Sequence, residues 1–524
     1  MTPRAADVAP SWGEAVRQMI EGMASLSVLS HPLKLAAMAT HCLPRHGMTP
    51  AAAIVATALA WGDAVALTDQ WGNCSYRELA AITGRLAAML SDRGWVTPGT
   101  DVGVMVRDDR WIIAAYGAIG LCGGTVWPLN PKLGADDLAD RLRGGGVELV
   151  IHSPGCEAAL AGFPGRTIST AALPEMLADA RGLTVPRLAR RSGFVMLTGG
   201  TTSTPSAVPI KRRWSAPLTG LALAGATGVR HGRPTLLCAP LFHGYGLEVA
   251  MLCLISGSPL ILNTALPGVG AAQLDKGGRV PRIDWGTAIL HAIEQHRVHS
   301  VFAVPAQLRS LAGRLDAGPT PSTTTVRSIV SGADRIDEAT IRSLIRHWGP
   351  VVTNYYGTTE SGTLTVIAGA ALAAQPDALG RPVAGVRLRI VDTSGRVLRR
   401  GQVGLVQAVS PLASFGTGWR GTFTTSDLGF IDDAGQLHLQ GRAGAVQRLG
   451  GEFVDLTQVE SVLADFPGVI TAKAWLTPDD AMGQRVAAAV TTNGPVSVES
   501  LRAHVRARLG PAAVPVSIEV SADT

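Results

Sequence analysis

Helical and strand-like stretches alternate regularly between about Met48 and Gln440. The spacing of apolar residues predicts a helix over Tyr76–Arg93 and a strand over Val102–Val106. A second helix is predicted over Trp111–Leu121, and it ends at Gly123–Gly124 because glycine is favoured just past a helix C-terminus. Helices that alternate with strands in this way indicate layered α/β structure with largely parallel sheets.

The same alternation continues along the chain and then changes character. Further elements are predicted as extended chain over Val126–Pro128, helices over Asp136–Arg143, Ile289–Gln295 and Ala339–His347, and strands over Val147–His152, Val301–Val304 and Val351–Asn354. After about Gln407 the sequence becomes strand-rich, and a glycine-rich passage runs from Gly441 to Gly451. Beyond it we predict a small α+β unit with helices over Thr457–Leu463 and Val498–Leu509 and strands near Lys473–Leu476 and Arg485–Thr491.

Three segments follow from this pattern, since a chain of 524 residues is too long for one core at roughly 150 residues per domain. Residues 1–47 form an N-terminal extension, residues 48–441 a large domain and residues 442–524 a small one. In the extension, the apolar face of a helix is marked by Met19, Ile20, Met23, Leu26 and Leu29. We expect this helix to pack on the main body; contact with a membrane or a partner is the alternative.

Composition and charge exclude several classes of protein. Hydrophobic residues make up 46% and charged residues 16%, which is typical of a globular chain rather than a disordered one. The net charge is only +6 and the arginines are scattered, so we expect no nucleic-acid partner. Pro259 and Pro267 interrupt the longest uncharged stretch, Val249–Leu274, so we expect no membrane span. The six cysteines form no C-x-x-C pair, which favours reduced thiols in a cytoplasmic protein.

A loop rich in glycine, threonine and serine follows the strand-like stretch Gly193–Leu197. It reads Thr198-Gly-Gly-Thr-Thr-Ser-Thr-Pro-Ser-Ala-Val208. Such a loop offers backbone N–H groups and hydroxyls to phosphate oxygens, and glycine lets the backbone curve into an anion-binding nest. It is not a Walker-type P-loop, because no G-K-[ST] follows. A polar surface turn would look similar, so this loop alone does not decide between the two.

Two further segments carry residue types that suit a nucleotide. Asn354-Tyr-Tyr-Gly-Thr-Thr-Glu360 follows a predicted strand, where a tyrosine can lie on a base and Glu360 can hold Mg²⁺. Thr425-Ser-Asp427 precedes Gly441-Arg442, and an aspartate that accepts from two ribose hydroxyls is a usual way to hold a nucleoside. Taken alone, the first segment is at least as consistent with a strand-to-loop turn that carries a surface glutamate, and a lone Ser-Asp-Leu-Gly is more often just a turn.

In this order and spacing, the three segments resemble those of the adenylate-forming superfamily of acyl-CoA synthetases, peptide-synthetase adenylation domains and luciferases. The resemblance spans roughly residues 50 to 515. The supporting segments are Ser75–Leu79, Gly120–Pro131, Pro240–Gly246, Gly380–Gly385 and Gly404–Val406. The resemblance implies an α/β fold in which a large N-terminal domain of layered α/β subdomains and a strand-rich part is joined to a small α+β C-terminal domain.

The reaction that the resemblance implies has two steps. A small-molecule carboxylic acid attacks the α-phosphate of ATP, which gives an acyl-adenylate and pyrophosphate. The thiol of coenzyme A, or of carrier-protein phosphopantetheine, then takes the acyl group, so an acyl carrier protein is one expected partner. The resemblance also implies that the small C-terminal domain rotates between the steps, with Gly444 at the hinge position.

Site residues carry over onto the matching positions. The loop residues Thr198, Gly199, Gly200, Thr201, Thr202, Ser203 and Thr204 would hold the β- and γ-phosphates. Tyr356 would stack on adenine, and the rest of the nucleotide segment would comprise Gly332, Ala333, Asn354, Tyr355, Gly357 and Thr358. Thr359 would contact the α-phosphate, Glu360 would bind Mg²⁺, and Asp427 with Arg442 would hold the ribose.

The acid pocket is implied between Phe242 and Tyr356, with Val304-Pro305 and Gly332 nearby. His243 would line this pocket or the thiol path; the alternative is a histidine merely buried under its loop. The apolar residues after Tyr245 predict an apolar acid, aryl or fatty, and the sequence does not separate the two.

The sequence departs from the family in the phosphate loop, at the hinge, where Gly444 stands in place of the usual Asp or Lys, and at the C-terminal end. The family's phosphate loop reads T-S-G-T-T-G-x-P-K-G, and here Ser206 stands at the lysine position, with Lys211 five residues further on. The family closes with a P-x-T-x-x-G-K stretch whose lysine bridges the acid and the α-phosphate, whereas this sequence reaches Thr524 before that stretch and Lys473 is a poor substitute. Positioned charge on a reacting phosphate is a large catalytic effect, so we predict adenylation slowed by ~10²–10³-fold.

Three functions are consistent with these features. The first is a working ligase, slow in adenylation or completed by another group, that makes an acyl-adenylate and then a thioester or an amide. The second is an enzyme that performs only the half-reaction on an acyl-adenylate, or joins the acyl group to an unusual nucleophile. The third is a non-catalytic protein that binds a nucleotide or an acyl group, which the retained Glu360, Asp427 and Arg442 disfavour.

Overall fold

The computed structural model describes residues 5–26, 31, 50–131, 138, 142, 145–186, 192–197, 207–209, 216–269, 283–318, 325–411, 421–443, 446–449, 452–479, 483–510 and 513–522. Within these ranges the α-helices are α1 (Trp12–Ser25), α2 (Pro50–Trp61), α3 (Tyr76–Asp92), α4 (Arg110–Cys122), α5 (Leu173–Asp179), α6 (Ala216–Thr227), α7 (Gly244–Ser256), α8 (Trp285–His296), α9 (Pro305–Ala317), α10 (Glu338–Trp348), α11 (Gly369–Ala374), α12 (Leu456–Ala464) and α13 (Val498–Leu509).

The strands in the same ranges are β1 (Asp7–Val8), β2 (Val65–Asp69), β3 (Gly72–Ser75), β4 (Asp101–Met105), β5 (Thr125–Pro128), β6 (Leu149–His152), β7 (Arg166–Ser169), β8 (Gly193–Leu197), β9 (Ala207–Pro209), β10 (Thr235–Leu237), β11 (Leu260–Leu262), β12 (Ser300–Ala303), β13 (Ser328–Ser331), β14 (Val352–Thr358), β15 (Gly362–Ala368), β16 (Arg381–Pro382), β17 (Arg387–Val391), β18 (Gly404–Val409), β19 (Thr422–Ile431), β20 (Leu437–Arg442), β21 (Val446–Leu449), β22 (Glu452–Asp455), β23 (Val469–Asp479), β24 (Gly483–Thr492) and β25 (Ser517–Ala522).

Contacts between residues divide the chain into two compact units. The larger unit contains residues 8–387 and 408–423, and the smaller unit contains residues 1–7, 388–407 and 424–524. The domain boundaries that the sequence suggests at residues 47/48 and 441/442 stay predictions.

Two sheets form the larger unit. One has the strand order β7-β6-β4-β5-β8-β9, and the other has the order β16-β15-β14-β13-β12-β10-β11-β2-β3. The run from β14 to β2 is parallel throughout, and antiparallel strands lie only at the two ends of that sheet. The prediction of layered α/β structure with largely parallel sheets is therefore confirmed. Parallel strands place their carboxyl ends at one edge, where ligands bind in folds of this kind.

The smaller unit has a different architecture. A five-stranded sheet has the order β1-β17-β18-β19-β20, and β21 pairs with β22 as a hairpin. The α+β part that the sequence predicts at the C-terminal end is confirmed: β23, β24 and β25 form a sheet whose apolar core includes Val459 of α12 and Val505 of α13.

Most predicted elements are confirmed to within two or three residues, and the predicted end of one helix is also correct. Gly123 follows α4 in the left-handed conformation with φ of 80°, and its N–H bonds back to the last turn. The helix predicted over Asp136–Arg143 lies almost wholly outside the described residues.

Two expectations about these elements are wrong in detail. The strand predicted to end at Asn354 continues to Thr358, because Tyr355 and Tyr356 pair across to β15 and form part of a sheet. In α1, Ile20 lies on the exposed side rather than in the buried face. That helix packs through its small residues Gly22 and Ser25, and the Ser25 hydroxyl donates to the Ala224 carbonyl of α6 at 2.9 Å.

Asp109 caps the N-terminus of α4, where Oδ1 of its carboxyl group accepts from the Trp111 N–H at 2.8 Å. Burial raises the pKa of this carboxyl from 3.8 to about 8, and the charges of Asp69 and Asp108 add to the effect. Because the folded state holds a proton that the unfolded state releases near pH 4, the folded state loses stability as the pH rises from about 4 to about 8. The loss is at most about 1.4 kcal/mol per pH unit.

The substitution Asp109→Asn is therefore expected to stabilise the folded chain at pH 7 to 8 and to make little difference near pH 4. Asparagine keeps the capping oxygen and carries no charge to bury. Urea titrations at pH 4, 6 and 8 measure the difference between the variant and the unaltered chain. A difference that does not change with pH would show that Asp109 does not titrate in this range.

Candidate active site at the carboxyl ends of the strands

Three adjacent strands bring the nucleotide segment together. Ser331 at the end of β13 lies beside Asn354 of β14, and Tyr356 lies opposite Thr365 of β15. Cross-strand partners share a face of a sheet, as do alternate residues of one strand. Ser331, Asn354, Tyr356 and Thr365 therefore lie on one face, near the carboxyl ends of the parallel strands.

Polar atoms on this face lack partners in the part of the chain that the structure describes. They are Oγ of Ser331, Oδ1 of Asn354 and Oγ1 of Thr365, on side chains that are at most 3% exposed. A buried polar group without a hydrogen bond costs about 1–3 kcal/mol, so such groups point to a ligand or ordered water. An amide, two hydroxyls and the ring of Tyr356 fit the polar edge and flat face of a base.

The turn after β13 has an uncommon backbone conformation. Ala333 has φ of 70°, a left-handed conformation that a residue with a Cβ adopts at a cost of roughly 1–2 kcal/mol. A Cβ on Gly332 would lie 2.7 Å from Cζ of Tyr355, so only glycine leaves room for that ring. The structure thus packs Gly332 against Tyr355 of β14, and the part of Gly332 and Ala333 in nucleotide binding stays a prediction.

Tyr355 lies on the opposite face of β14 from Tyr356. Its ring meets Tyr245 of α7 edge-on with centroids 5.1 Å apart, and Tyr245 donates its hydroxyl to the Val330 carbonyl at 2.9 Å. Burial raises the pKa of both phenols well above the usual range, so both stay protonated. Tyr355 therefore forms an aromatic block with Tyr245, and its part in nucleotide binding stays a prediction.

Thr359 and Glu360 occupy the middle of a tight turn between β14 and β15, and both side chains are partly exposed. The ends of this turn are Thr358 and Ser361, whose hydroxyl oxygens are 3.0 Å apart. The position suits residues that meet a ligand, because the turn lies at the same edge of the sheet as Tyr356.

His243 is the N-cap residue of α7 and makes no capping hydrogen bond through its side chain. His243 is exposed to solvent, and desolvation by the atoms packed around its ring lowers its pKa below the usual range. We therefore expect a neutral imidazole at pH 7, able to accept or pass on a proton. The alternative of a histidine simply buried under its loop does not fit this exposure.

A buried aspartate holds the segment before His243. Asp108, in the loop between β4 and α4, accepts from the Leu241 N–H at 2.6 Å and from Nδ2 of Asn263 at 2.6 Å. The hydroxyl of Tyr116 donates to the carbonyl of Leu241 at 3.2 Å, so both sides of this residue's backbone are held. Asp108 follows β4 of the six-stranded sheet, and Leu241 lies between β10 of the nine-stranded sheet and α7. These bonds therefore connect the two sheets at the start of α7.

The smaller unit contains the predicted ribose residues. Asp427 of β19 lies opposite Arg442 of β20, and Nε of Arg442 is 3.2 Å from Oδ1 of Asp427. The alternative of a surface turn is wrong for Asp427, which is buried within a ten-residue strand. Lys473 lies in β23 with its side chain 81% exposed, and its ammonium is 3.8 Å from Glu460.

Several predicted residues lie outside the described residues. They are the whole phosphate loop from Thr198 to Thr204, Ser206, Lys211 and Gly444. Among the residues that the structure does describe, no three His, Cys, Asp or Glu side chains are grouped so that they could hold a metal ion. In the same residues no helix is long and apolar enough to cross a membrane.

Four residues of the candidate site and its support were not predicted from the sequence: Ser331, Thr365, Ser361 and Asp108. Serine, threonine and aspartate are common in turns and strand ends, so their identity alone carries little signal. Only the register of β13, β14 and β15 shows that Ser331 and Thr365 share a face with Asn354.

The fold is α/β, and the candidate site lies where parallel strands end. A match to the AMP-binding enzyme family covers residues 55–411, and a match to the AMP-binding enzyme C-terminal domain covers residues 458–523. The chain therefore belongs to the AMP-binding enzyme family, as an adenylate-forming ligase of the acyl-CoA synthetase type.

Two curated relatives illustrate the match. Feruloyl-CoA synthase of Amycolatopsis sp is 26% identical over 463 residues, which cover 85% of this chain and 89% of the relative. 2-Succinylbenzoate–CoA ligase of Bacillus velezensis is 23% identical over 472 residues, which cover 86% and 90%.

Solved structures give the same fold. Amide bond synthetase McbA from Marinactinospora thermotolerans superposes with a TM-score of 0.71 at 25% identity, covering 90% of this chain and 95% of that one. The o-succinylbenzoate CoA synthetase of Bacillus subtilis, in complex with its acyl-adenylate intermediate, gives a TM-score of 0.75 at 21% identity, covering 89% and 94%.

Proposed function

We propose that this enzyme activates a small carboxylic acid with ATP and passes the acyl group from the acyl-adenylate to coenzyme A. The observation that carries the proposal is the set of buried polar atoms without described partners, those of Ser331, Asn354 and Thr365, beside Tyr356. A base whose face lies on the Tyr356 ring would bring its polar edge toward the amide of Asn354, which is the most exposed of the three side chains. Their position where parallel strands end agrees with ligand sites in other open α/β sheets.

The neighbouring turn supplies the groups for the phosphates. The Thr359 hydroxyl would donate to the α-phosphate, and Glu360 would be a protein ligand of Mg²⁺, which commonly binds one or two carboxylates together with phosphate oxygens. Bound Mg²⁺ would neutralise charge on the phosphates as pyrophosphate leaves. In the smaller unit, Asp427 would accept from ribose hydroxyls beside Arg442.

The substitution Asn354→Ala is expected to raise the KM for ATP about tenfold. The base loses one neutral hydrogen bond, because the buried amide that made it is removed. Selectivity for ATP over GTP should fall as well, since the amide reads the edge of the base. Initial rates at varied ATP and GTP measure both effects. The exposed Asn73→Ala serves as a control that should leave both unchanged; an unaltered KM in Asn354→Ala would place the base elsewhere.

The acid substrate of this reaction should be apolar, aryl or fatty, and it should lie on the Tyr245 and Tyr355 side of β14. His243 would line the acid pocket or the path of the thiol. We further propose that this chain adenylates its acid more slowly than other members of the family do. Ser206 replaces the lysine of the phosphate loop, so a charge-assisted contact to a phosphate is missing.

Two similarities to other proteins bear on which molecule accepts the acyl group. The peptide synthetase PhsC of Streptomyces viridochromogenes, 29% identical over 463 residues that cover 82% of this chain and 39% of that protein, favours carrier-bound phosphopantetheine as an alternative thiol. The similarity to McbA, whose name describes amide bond synthesis, favours an amine acceptor as the second alternative.

ATP–pyrophosphate exchange tests the first step without the acceptor. Purified protein, Mg²⁺ and a panel of aryl and fatty acids should give exchange with one class of acid. Adding coenzyme A, a carrier protein or an amine then identifies the acceptor from the product. Binding of ATP without exchange for any acid would contradict the proposed adenylation and favour an enzyme that only uses preformed acyl-adenylates.

A further inference from the structure

The four-residue turn from Thr358 to Ser361 is closed by its own end residues. The N–H of Thr358 donates to Oγ of Ser361 at 3.2 Å, and the N–H of Ser361 donates to Oγ1 of Thr358 at 3.2 Å. The Ser361 N–H also reaches the Thr358 carbonyl at 3.2 Å. Each end residue thus satisfies the backbone of the other, as the two partners of a capping box do.

A second serine anchors this turn to the rest of the larger unit. Oγ of Ser410 donates to the carbonyl of Ser361 at 2.9 Å, and both serines are fully buried. The close pairing of β14 and β15 behind the turn leaves no space for a side chain at Gly357, where a Cβ would lie 2.3 Å from the Gly362 carbonyl oxygen. The backbone under Thr359 and Glu360 is therefore fixed from both ends and from behind.

We propose that Ser361 is a positioning residue for Mg²⁺-dependent phosphate binding, with Ser410 as its support. The hydroxyl of Ser361 already bonds to the Thr358 hydroxyl and to the Gly362 carbonyl, whereas the two residues that Ser361 brackets, Thr359 and Glu360, are partly exposed. This inference rests on the proposed function, in which those two residues meet the α-phosphate and Mg²⁺.

The bonds of Ser361 bear on only one part of the proposed site. They tie the turn that carries Glu360, and they do not involve Ser331, Asn354 or Tyr356, which form the base side of the site. Loss of the Ser361 hydroxyl should therefore weaken the Mg²⁺-dependent part of ATP binding and leave binding of the nucleoside intact. If Ser361 only stabilised the fold, its loss would weaken both the Mg²⁺-dependent part of ATP binding and nucleoside binding, or neither of them.

The test compares Ser361→Ala, Ser361→Thr and Ser410→Ala with the unaltered chain. Two quantities are measured for each: the Mg²⁺ concentration for half-maximal ATP–pyrophosphate exchange, and the Mg²⁺ dependence of ATP binding by calorimetry, with adenosine binding as reference. In Ser361→Ala we expect the required Mg²⁺ to rise about tenfold and the Kd of adenosine to stay unchanged. Ser361→Thr keeps the hydroxyl and should recover most of the loss, while Ser410→Ala should show a smaller loss of the same kind.

Ser256→Ala is the matched control, because this serine is also fully buried and, among the described residues, its hydroxyl bonds within α7 to the Cys253 carbonyl at 3.0 Å. An unchanged Mg²⁺ requirement in Ser361→Ala, or an equal loss of adenosine binding, would overturn the positioning role. Absence of exchange in the unaltered chain would instead contradict the proposed function, and the calorimetric Mg²⁺ dependence would still decide the role of Ser361.

Discussion

Replacing Glu360 with glutamine should lower the rate of ATP–pyrophosphate exchange by about 100-fold to 1,000-fold, the loss typical when one preorganised electrostatic contact to a reacting group is removed. Glu360 lies in the turn between β14 and β15, where the carboxylate is partly exposed and the backbone is held by Thr358 and Ser361. Glutamine keeps the size and loses the charge that Mg²⁺ requires. The exchange assay at saturating ATP and varied Mg²⁺ measures the loss.

A suitable control for this experiment is Glu338→Gln, which removes an exposed carboxylate paired with Arg342 on α10. It should change neither the rate nor the Mg²⁺ requirement, since exposed ion pairs contribute little. Full exchange activity in Glu360→Gln would show that Glu360 is not a ligand of Mg²⁺. The phosphate loop would then be the main source of phosphate binding.

Replacing Asp108 with alanine should lower the free energy of unfolding of the larger unit by about 3 kcal/mol, because two buried donors lose their acceptor. Those donors are the Leu241 N–H and Nδ2 of Asn263, each 2.6 Å from a different carboxylate oxygen. Urea titration measures the loss. Activity should fall as well, because Leu241 lies two residues before His243.

Exchanging the side chains of Asp108 and Asn263 is a more specific test of the same hydrogen bonds. Asp108→Asn alone turns an amide N–H₂ toward a donor, so it should destabilise the chain. Combined with Asn263→Asp, the amide at position 108 can accept from Leu241 and donate to the new carboxylate, so most of the stability should return. If the double variant is no more stable than the sum of the single ones predicts, the pair does not couple in this way.

Helix–strand order was predictable from the sequence because local periodicity carries it. The bounds of α3, α4 and α13 follow from apolar spacing, a capping serine or aspartate, and glycine at the C-terminal end. The continuation of β14 through Thr358 was not predictable, because it depends on pairing with a strand that lies later in the chain.

The residues of the candidate site also fall into two groups, those that a local motif predicts and those that only long-range pairing brings together. Tyr356, Thr359 and Glu360 are adjacent in sequence, so a motif is enough to propose them. Ser331 and Thr365 complete the polar face only after β13 and β15 are aligned with β14, and Asp108 reaches Leu241 across 133 positions of sequence. Such long-range contacts leave no local pattern, and composition alone gives no reason to select these residues.

The alternation of side chains along β14 has a consequence for altering the enzyme. Tyr356 and Asn354 point to one side of the sheet, and Tyr355 meets Tyr245 on the other. If the acid lies against the tyrosine pair, its selectivity can diverge through substitutions at positions 245 and 355 while the nucleotide side keeps its residues. A library confined to those two positions should therefore change which acid supports pyrophosphate exchange and leave the KM for ATP within a few-fold of its starting value, since the two sets of residues face away from each other.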